Sequence, residues 1–258
     1  MCQLSSTERA FSDGRTRAIG STGQAHSLNA MTLTNVAYNV SYTWQNLRVR
    51  SLERQALVPM FNEHPVELGV KGHETEILAR LYEDPAYPAM FRAAFSGQRH
   101  PVSIQNIARA LSAFERALIS GHSAYDRLVY GGDEHALSAS AWRGMNLFFS
   151  ERAGRSGCHR GFNFSEGARY AGGPDQKPRL ASNGVTAGSF RVPTLRNVAL
   201  TAPYMHDGSI ATLPEVVDRY SAARRLGFSE PDKNDLVAFL ESFTDEQFVA
   251  DPRFGDPR

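Results

Sequence analysis

Residues 147–165 read LFFSERAGRSGCHRGFNFS, and the fold turns on its centre, Arg155-Ser156-Gly157-Cys158-His159. In a C-x-x-C-H motif two thiols bond to the vinyl groups of a haem and the adjacent histidine ligates its iron. Cys158 and His159 occupy the last two positions of such a motif, but Arg155 stands where the first cysteine belongs. Taken alone, the pair is equally well a buried free thiol beside a polar surface histidine. The rest of the chain has to decide.

The chain has 258 residues, enough for one large domain or two small ones with separate cores. Its composition is 41% hydrophobic and 21% charged with net charge +1, so electrostatics make no case for nucleic acid or an anionic membrane. No run approaches the ~18 apolar residues of a membrane span. Met1 leads straight into the polar MCQLSSTERAFSDGR without a secretory leader, which taken alone points to the cytoplasm. Cys2 and Cys158 are too far apart for a C-x-x-C pair, and two isolated cysteines are poor grounds for a disulfide framework.

Periodicity makes the chain mainly α, with no strand pattern. Residues 1–45 read as loop with at most a short helix around 32–38. A helix begins at Ser51 and is expected to stop at Pro59; others follow over about 74–82 and across PAYPAMFRAAFSG, with Met90, Phe91 and Phe95 on the apolar side. The clearest helix spans 103–119, capped by Ser103, with Ile104, Ile107, Leu111, Phe114 and Leu118 as its seam. Residues 120–136 form a turn-rich connection, so two domains are expected, 1–125 and 126–258. A helix over about 137–150, with Leu137, Trp142, Met145 and Phe149 near one face, delivers the chain to the half-motif. Residues 160–189 read as a long loop and 190–209 as at most one short helix around 194–200. Thr212-Leu-Pro-Glu215 is a capping box, and Ser229-Glu-Pro-Asp232 opens a final helix to about Phe243.

Several motifs occur together in order. RVPTLRNVALTAPYMHDGSIATLPEVVDRY at 191–220 resembles the C-terminal signature of bacterial di-haem cytochrome c peroxidases and MauG-type enzymes. NAMTLTNVAYN, Trp44 and SLERQALVPMFNEHPVELG resemble the matching N-terminal signature, and FNEHPVELG, LISGHSAYDR and GCHRGFNFS are most similar to the methanobactin-associated branch. The likeness runs from about Ala10 to Phe243. It implies two cytochrome-c-like helical domains packed around haem c, an interdomain calcium ion, and a periplasmic location. Hydrogen peroxide would be the oxidant, with a partner protein or an electron-donor cytochrome supplying electrons, and a homodimer is compatible.

The resemblance also assigns residues. His159 with Cys158 matches the C-terminal haem site, where one thioether still suffices as an anchor. Tyr220, fourteen residues after His206, falls where peroxidases of the family place Met and the MauG-type branch Tyr. A phenolate favours higher iron oxidation states, which points to high-valent haem chemistry over electron relay. Glu67 matches the distal glutamate over the peroxide-binding haem, where a carboxylate moves a proton between the peroxide oxygens. Gln55 supports that pocket, and Trp44 matches the tryptophan between the haems. Asn29, Thr201 and Pro203 match the calcium ligands, one side-chain amide and two backbone carbonyls. His206 belongs near the haem and domain interface, in a hydrogen-bonding or catalytic role. His26, His64, His73, His100, His122 and His135 have no ligand spacing and are expected at the surface.

The first haem motif should precede RAFSDGR. Aligned without gaps, Met1, Leu4 and Ser5 occupy its cysteine and histidine positions; alternatively Cys2-Gln3 stands for its end. Neither alignment supplies a histidine, so the N-terminus is expected to be truncated or degenerate. The alternative function is a mono-haem or haem-depleted scaffold without peroxidase activity.

Overall fold

Hydroxyl side chains set where the helices of this computed structural model begin, and the structure describes residues 6–46, 48–153, 159–165, 169–171, 179–180, 186–187 and 189–255. Ser51, Ser103, Ser123, Ser138, Thr212 and Ser229 each accept a hydrogen bond from the third backbone N–H beyond them. Each satisfies one of the donors a helix start leaves without a partner. They open α1 (Leu52–Phe61), α4 (Ile104–Ala117), α5 (Ala124–Val129), α6 (Ala139–Phe149), α7 (Leu213–Ala223) and α8 (Glu230–Glu241). The other helices are α2 (Glu74–Glu83), α3 (Ala86–Ala94) and α9 (Glu246–Val249). Both expected capping boxes form, Thr212 with Glu215 and Ser229 with Asp232.

The chain departs from expectation in three places. Helix α1 runs through Pro59 to Phe61, because the loop after it folds back and donates Leu68 N–H to Pro59 O and Val70 N–H to Met60 O. Residues 120–136 contain α5, so a boundary at 125/126 falls inside a helix. The stretches around 32–38 and 194–200, read as at most one short helix each, hold single 3-10 turns, Val36–Tyr38 and Val198–Leu200, in keeping with that reading. Within 160–191 the backbone forms two small antiparallel pairs, β1 (Arg169–Ala171) with β4 (Ser189–Arg191) and β2 (Arg179–Leu180) with β3 (Thr186–Ala187). Such short strands carry no alternating pattern long enough to read.

Buried faces also differ from the apolar seams. In α4 the buried residues are Asn106, Ala108 and Ser112, while Leu111 and Phe114 are each 42% exposed. In α6 the buried line is Ala141, Gly144 and Phe148, not Trp142, Met145 and Phe149. Gly144 explains the shift: any Cβ there would overlap the Asp235 carbonyl, so α8 crosses backbone to backbone. Met90 of α3 faces solvent, with Phe91 alone of the expected trio buried.

The larger core joins Phe148 of α6, Leu213 and Val217 of α7, and Leu236, Phe239 and Leu240 of α8 to Phe164, Leu195 and Phe243. Tyr125 of α5 packs edge-on against Phe164 and Phe243 there. A smaller cluster binds Phe11 and Leu118 to Phe248 of α9, so the last helix closes over the first residues of the chain.

A repeated frame links the halves. TLTNVA at 32–37 and TLRNVA at 194–199 fold alike. Asn35 and Asn197 are fully buried, both at φ 56°, and each precedes a 3-10 turn. Asparagine tolerates that left-handed conformation better than most residues. The Asn35 N–H donates to Leu118 O just past α4, and the Asn197 N–H donates to Phe243 O just past α8. Two reciprocal backbone bonds cross between the halves: Asn29 N–H to His206 O (2.8 Å) and Arg191 N–H to Trp44 O (2.8 Å).

Candidate functional site: a cavity in the first half and a histidine in the second

The crossing strands of chain at 28–33 and 42–44, helix α1 and Glu67 enclose a cavity of about 300 Å³. Glu67, Gln55, Trp44 and Asn29, singled out from separate motifs, all line it. Gln55 projects from α1, whose start is fixed by the Ser51 cap. The Trp44 indole N–H donates to Asn29 O at 2.8 Å, and its ring meets Phe190 edge-on at 6.2 Å. Phe190 in turn stacks on His206 at 4.0 Å. The ring of His206 therefore closes an aromatic column between the halves, while its carbonyl accepts from Asn29.

Glu67 is held by residues that local patterns do not flag. The Asn62 side-chain amide donates to Glu67 Oε1 at 3.1 Å, and His26 Nε2 lies 3.6 Å from the same oxygen. His26 Nδ1 accepts from Leu28 N–H, which assigns the ring proton to Nε2, the nitrogen facing Glu67. His26 is thus a half-buried cavity residue, correcting its expected place at the surface. It lies far from Glu67 in sequence, and no ligand spacing marks it.

Four more titratable groups line the cavity, Asp13, Tyr42, Glu115 of α4 and Arg191. Glu115 Oε2 is buried without a partner, and burial pushes the carboxyl up to about 7. In sequence Glu115 beside Arg116 looks like a solvated pair on a helix face, yet Arg116 pairs with Glu53 at 2.6 Å. The rest of the wall mixes apolar side chains, among them Met31, Leu33, Val36, Leu52 and Val58, with the polar Thr32, Asn39 and Thr43. A cavity of mostly apolar surface, edged by the unsatisfied Glu115 Oε2 and Arg191 Nε, fits a largely apolar group with polar substituents, which describes a haem. The positions Met1, Cys2, Gln3, Leu4 and Ser5, compared with its proximal motif, lie outside the described residues.

In the second half, His159 Nδ1 donates to Phe164 O at 2.8 Å. A carbonyl can only accept, so Nδ1 carries the proton and Nε2 the ring lone pair, the tautomer a metal ligand needs. Phe164, at φ 49°, belongs to the larger core, as do Leu213 and Val217. Tyr220 follows them at helical spacing on α7 and is half-buried. His159 and Tyr220 therefore border the same core, and this donor chemistry fits an iron site. Cys158 and Arg155 lie outside the described residues.

Of the expected calcium residues, Asn29 reaches across to the loop that follows Thr201 and Pro203. The Asn29 amide donates to Arg15 O at 2.7 Å, its backbone bonds the 201–208 loop at His206, and Thr16 packs against Gly208 of that loop. Among the described residues no three His, Cys, Asp or Glu side chains could hold a metal ion, so a cation here would depend on amide and carbonyl oxygens.

The fold and these sites have known counterparts. The family model for di-haem cytochrome c peroxidase matches residues 2–135. Methylamine utilization protein MauG of Methylorubrum extorquens is 32% identical over 254 residues, covering 92% of this chain and 70% of that protein. Cytochrome c551 peroxidase of Pseudomonas aeruginosa is 32% identical over 247 residues, covering 89% and 68%. The crystal structure of a MauG-like protein associated with microbial copper homeostasis superposes with a TM-score of 0.89 at 35% identity, covering 99% of this chain and 87% of that one. Fold and site define a mainly helical oxidoreductase of the peroxidase type. The chain belongs to the di-haem cytochrome c peroxidase family, and the cofactor that family implies is haem c. Among the described residues no helix is long and apolar enough to cross a membrane.

Proposed function

We propose that this chain works with hydrogen peroxide in the manner of the MauG-type branch, withdrawing electrons from a side chain of a partner protein, in the periplasm. The observation that carries this is the convergence of Glu67, Gln55 and Trp44, from separate positions of the N-terminal signature, on one cavity. Bound haem would supply the iron that reduces peroxide and takes electrons singly. Cys158, His159 and Tyr220 would hold one haem in the second half. Arg155 would limit that haem to a single thioether.

Glu67 would hold and return the proton that peroxide cleavage needs. With Oε1 taken by Asn62 and faced by His26, the proton would reside on Oε2. Gln55 would orient the bound oxidant from α1. Trp44, hydrogen-bonded to Asn29 and edge-on to Phe190, would carry electrons between the halves, with His206 supporting that column. Asn29, Thr201 and Pro203 would bind Ca2+ at the same seam. An electron-donor cytochrome in place of a protein substrate is the neighbouring alternative, and Tyr220 favours the first. The chain would divide into two domains, 1–125 and 126–258, and since 125/126 falls within α5 the turn just before that helix is the better place for the boundary.

A pyridine haemochrome spectrum of protein matured in a c-type haem assembly host tests the assignment. The expected result is an α-band at the single-thioether position, lost in His159→Ala. A spectrum without haem, or one unaffected by His159→Ala, overturns it.

A further inference from the structure

Two arginines are buried among the described residues, and their surroundings differ. Arg196, fully buried, has both carboxylate oxygens of Asp126 at 2.5 Å from Nη1, Phe162 O accepting from Nε, and the Phe162 ring at 4.4 Å. That cation is neutralised within the fold, as a buried charge must be. Arg191 is 8% exposed, and no carboxylate among the described residues is within ion-pair range of it. Its Nη1 donates to Asn39 Oδ1 at 3.2 Å, and Nη2 reaches only the Met31 sulfur at 3.1 Å. Thioether sulfur is a weak acceptor. The Nε–H is buried without a partner.

The side chain starts from the seam between the halves, where the Arg191 backbone is pinned to Trp44 O, and it lines the cavity. Burial pulls the guanidinium down to about 10, partly offset by the neighbouring Tyr42 phenol, so it is still a cation at neutral pH. A buried fork of donors lacking an anion, at the edge of an apolar slot, demands a ligand that brings a negative charge on an apolar frame. A phosphate would suit the charge but not the walls, whose exposed surface is mostly apolar.

We propose that Arg191 anchors a carboxylate carried by the planar apolar ligand of this cavity, completing the buried charge that the fold leaves open. This inference rests on the haem-binding assignment of the cavity, under which that carboxylate is a haem propionate.

The test compares hemin with hemin dimethyl ester, which keeps the ring and lacks the carboxylates. Binding to the full chain is followed by the Soret band and by quenching of tryptophan fluorescence, in a His159→Ala background that removes the second-half iron ligand. Hemin should bind about tenfold or more tightly than the ester, the scale of a charge-assisted hydrogen bond. Arg191→Gln should erase that preference by weakening hemin alone, and Arg191→Lys should retain part of it. Equal affinity for the two ligands with Arg191 present overturns the anchoring role even if the Gln variant fails to fold. A hemin-to-ester ratio unchanged in Arg191→Gln or Arg191→Lys overturns it as well. Binding of neither ligand removes the haem assignment and this inference with it.

Discussion

Desolvation governs Glu115. One of its oxygens is buried without a partner, and the adjacent Arg116 is engaged by Glu53, so the carboxyl is pushed from 4.5 up to about 7. The folded chain therefore holds this proton at pH values where the unfolded chain has released it. Stability contributed by the group is fully present below about 4.5 and declines as pH rises to about 7, the reverse of an ordinary paired carboxylate. Urea unfolding at pH 5 and pH 8 should show the decline. Glu115→Gln should flatten it and leave the variant the more stable chain at pH 8. At this scale the catalytic candidates were legible because each sits inside a contiguous motif: Glu67 in FNEHPVELG, Gln55 in SLERQALVP. His26 and Arg191 were not legible as cavity residues, since what makes them so is a neighbour distant in sequence.

At the scale of elements, the helices announced themselves through caps and spacing, while their buried faces did not. Size-based reading of α6 chooses Trp142, Met145 and Phe149; the backbone crossing at Gly144 turns a different line inward. Around it Arg143 grips Asp235 of α8 with two bonds of 2.7 Å. Gly144→Ala puts a methyl into the Asp235 carbonyl and within 2.8 Å of Phe239 Cβ. Both are held on rigid helices, so the contact must part them. The expected cost is about 1–3 kcal/mol, read as a lower denaturant midpoint at unchanged helix content. A midpoint equal to that of the unsubstituted chain would mean the crossing is looser than the geometry indicates.

Across the whole molecule, buried polar side chains tie one half to the other. Asp245 Oδ2 accepts from Ser120 Oγ and from the N–H groups of Gly121 and His122, while Oδ1 caps α9 through Phe248 N–H. Asn197 donates to Ser120 Oγ and accepts from Asp245 N–H. One carboxylate thus fastens the end of the α4 segment, the end of the α8 segment and the closing helix. Asp245→Asn turns an amide toward donors it cannot accept from. It should cost on the order of 3 kcal/mol, with hydrogen exchange speeding up at Gly121 and His122 together with Phe11 and Phe248. Faster exchange near α9 alone would confine Asp245 to a local cap.

Helical content, the capping boxes and the identity of the family were present in residue order, because propensity, capping and signature motifs are local and survive without neighbours. The half-motif at Arg155–His159 belongs with them, its meaning supplied by the motifs on either side. Tertiary structure alone decided that Asn29, Trp44, Gln55 and Glu67 share a cavity, that His26 faces Glu67, and that Arg191 is buried without an anion. Each of these depends on burial or on a distance between remote residues, and no local pattern of side chains encodes either quantity.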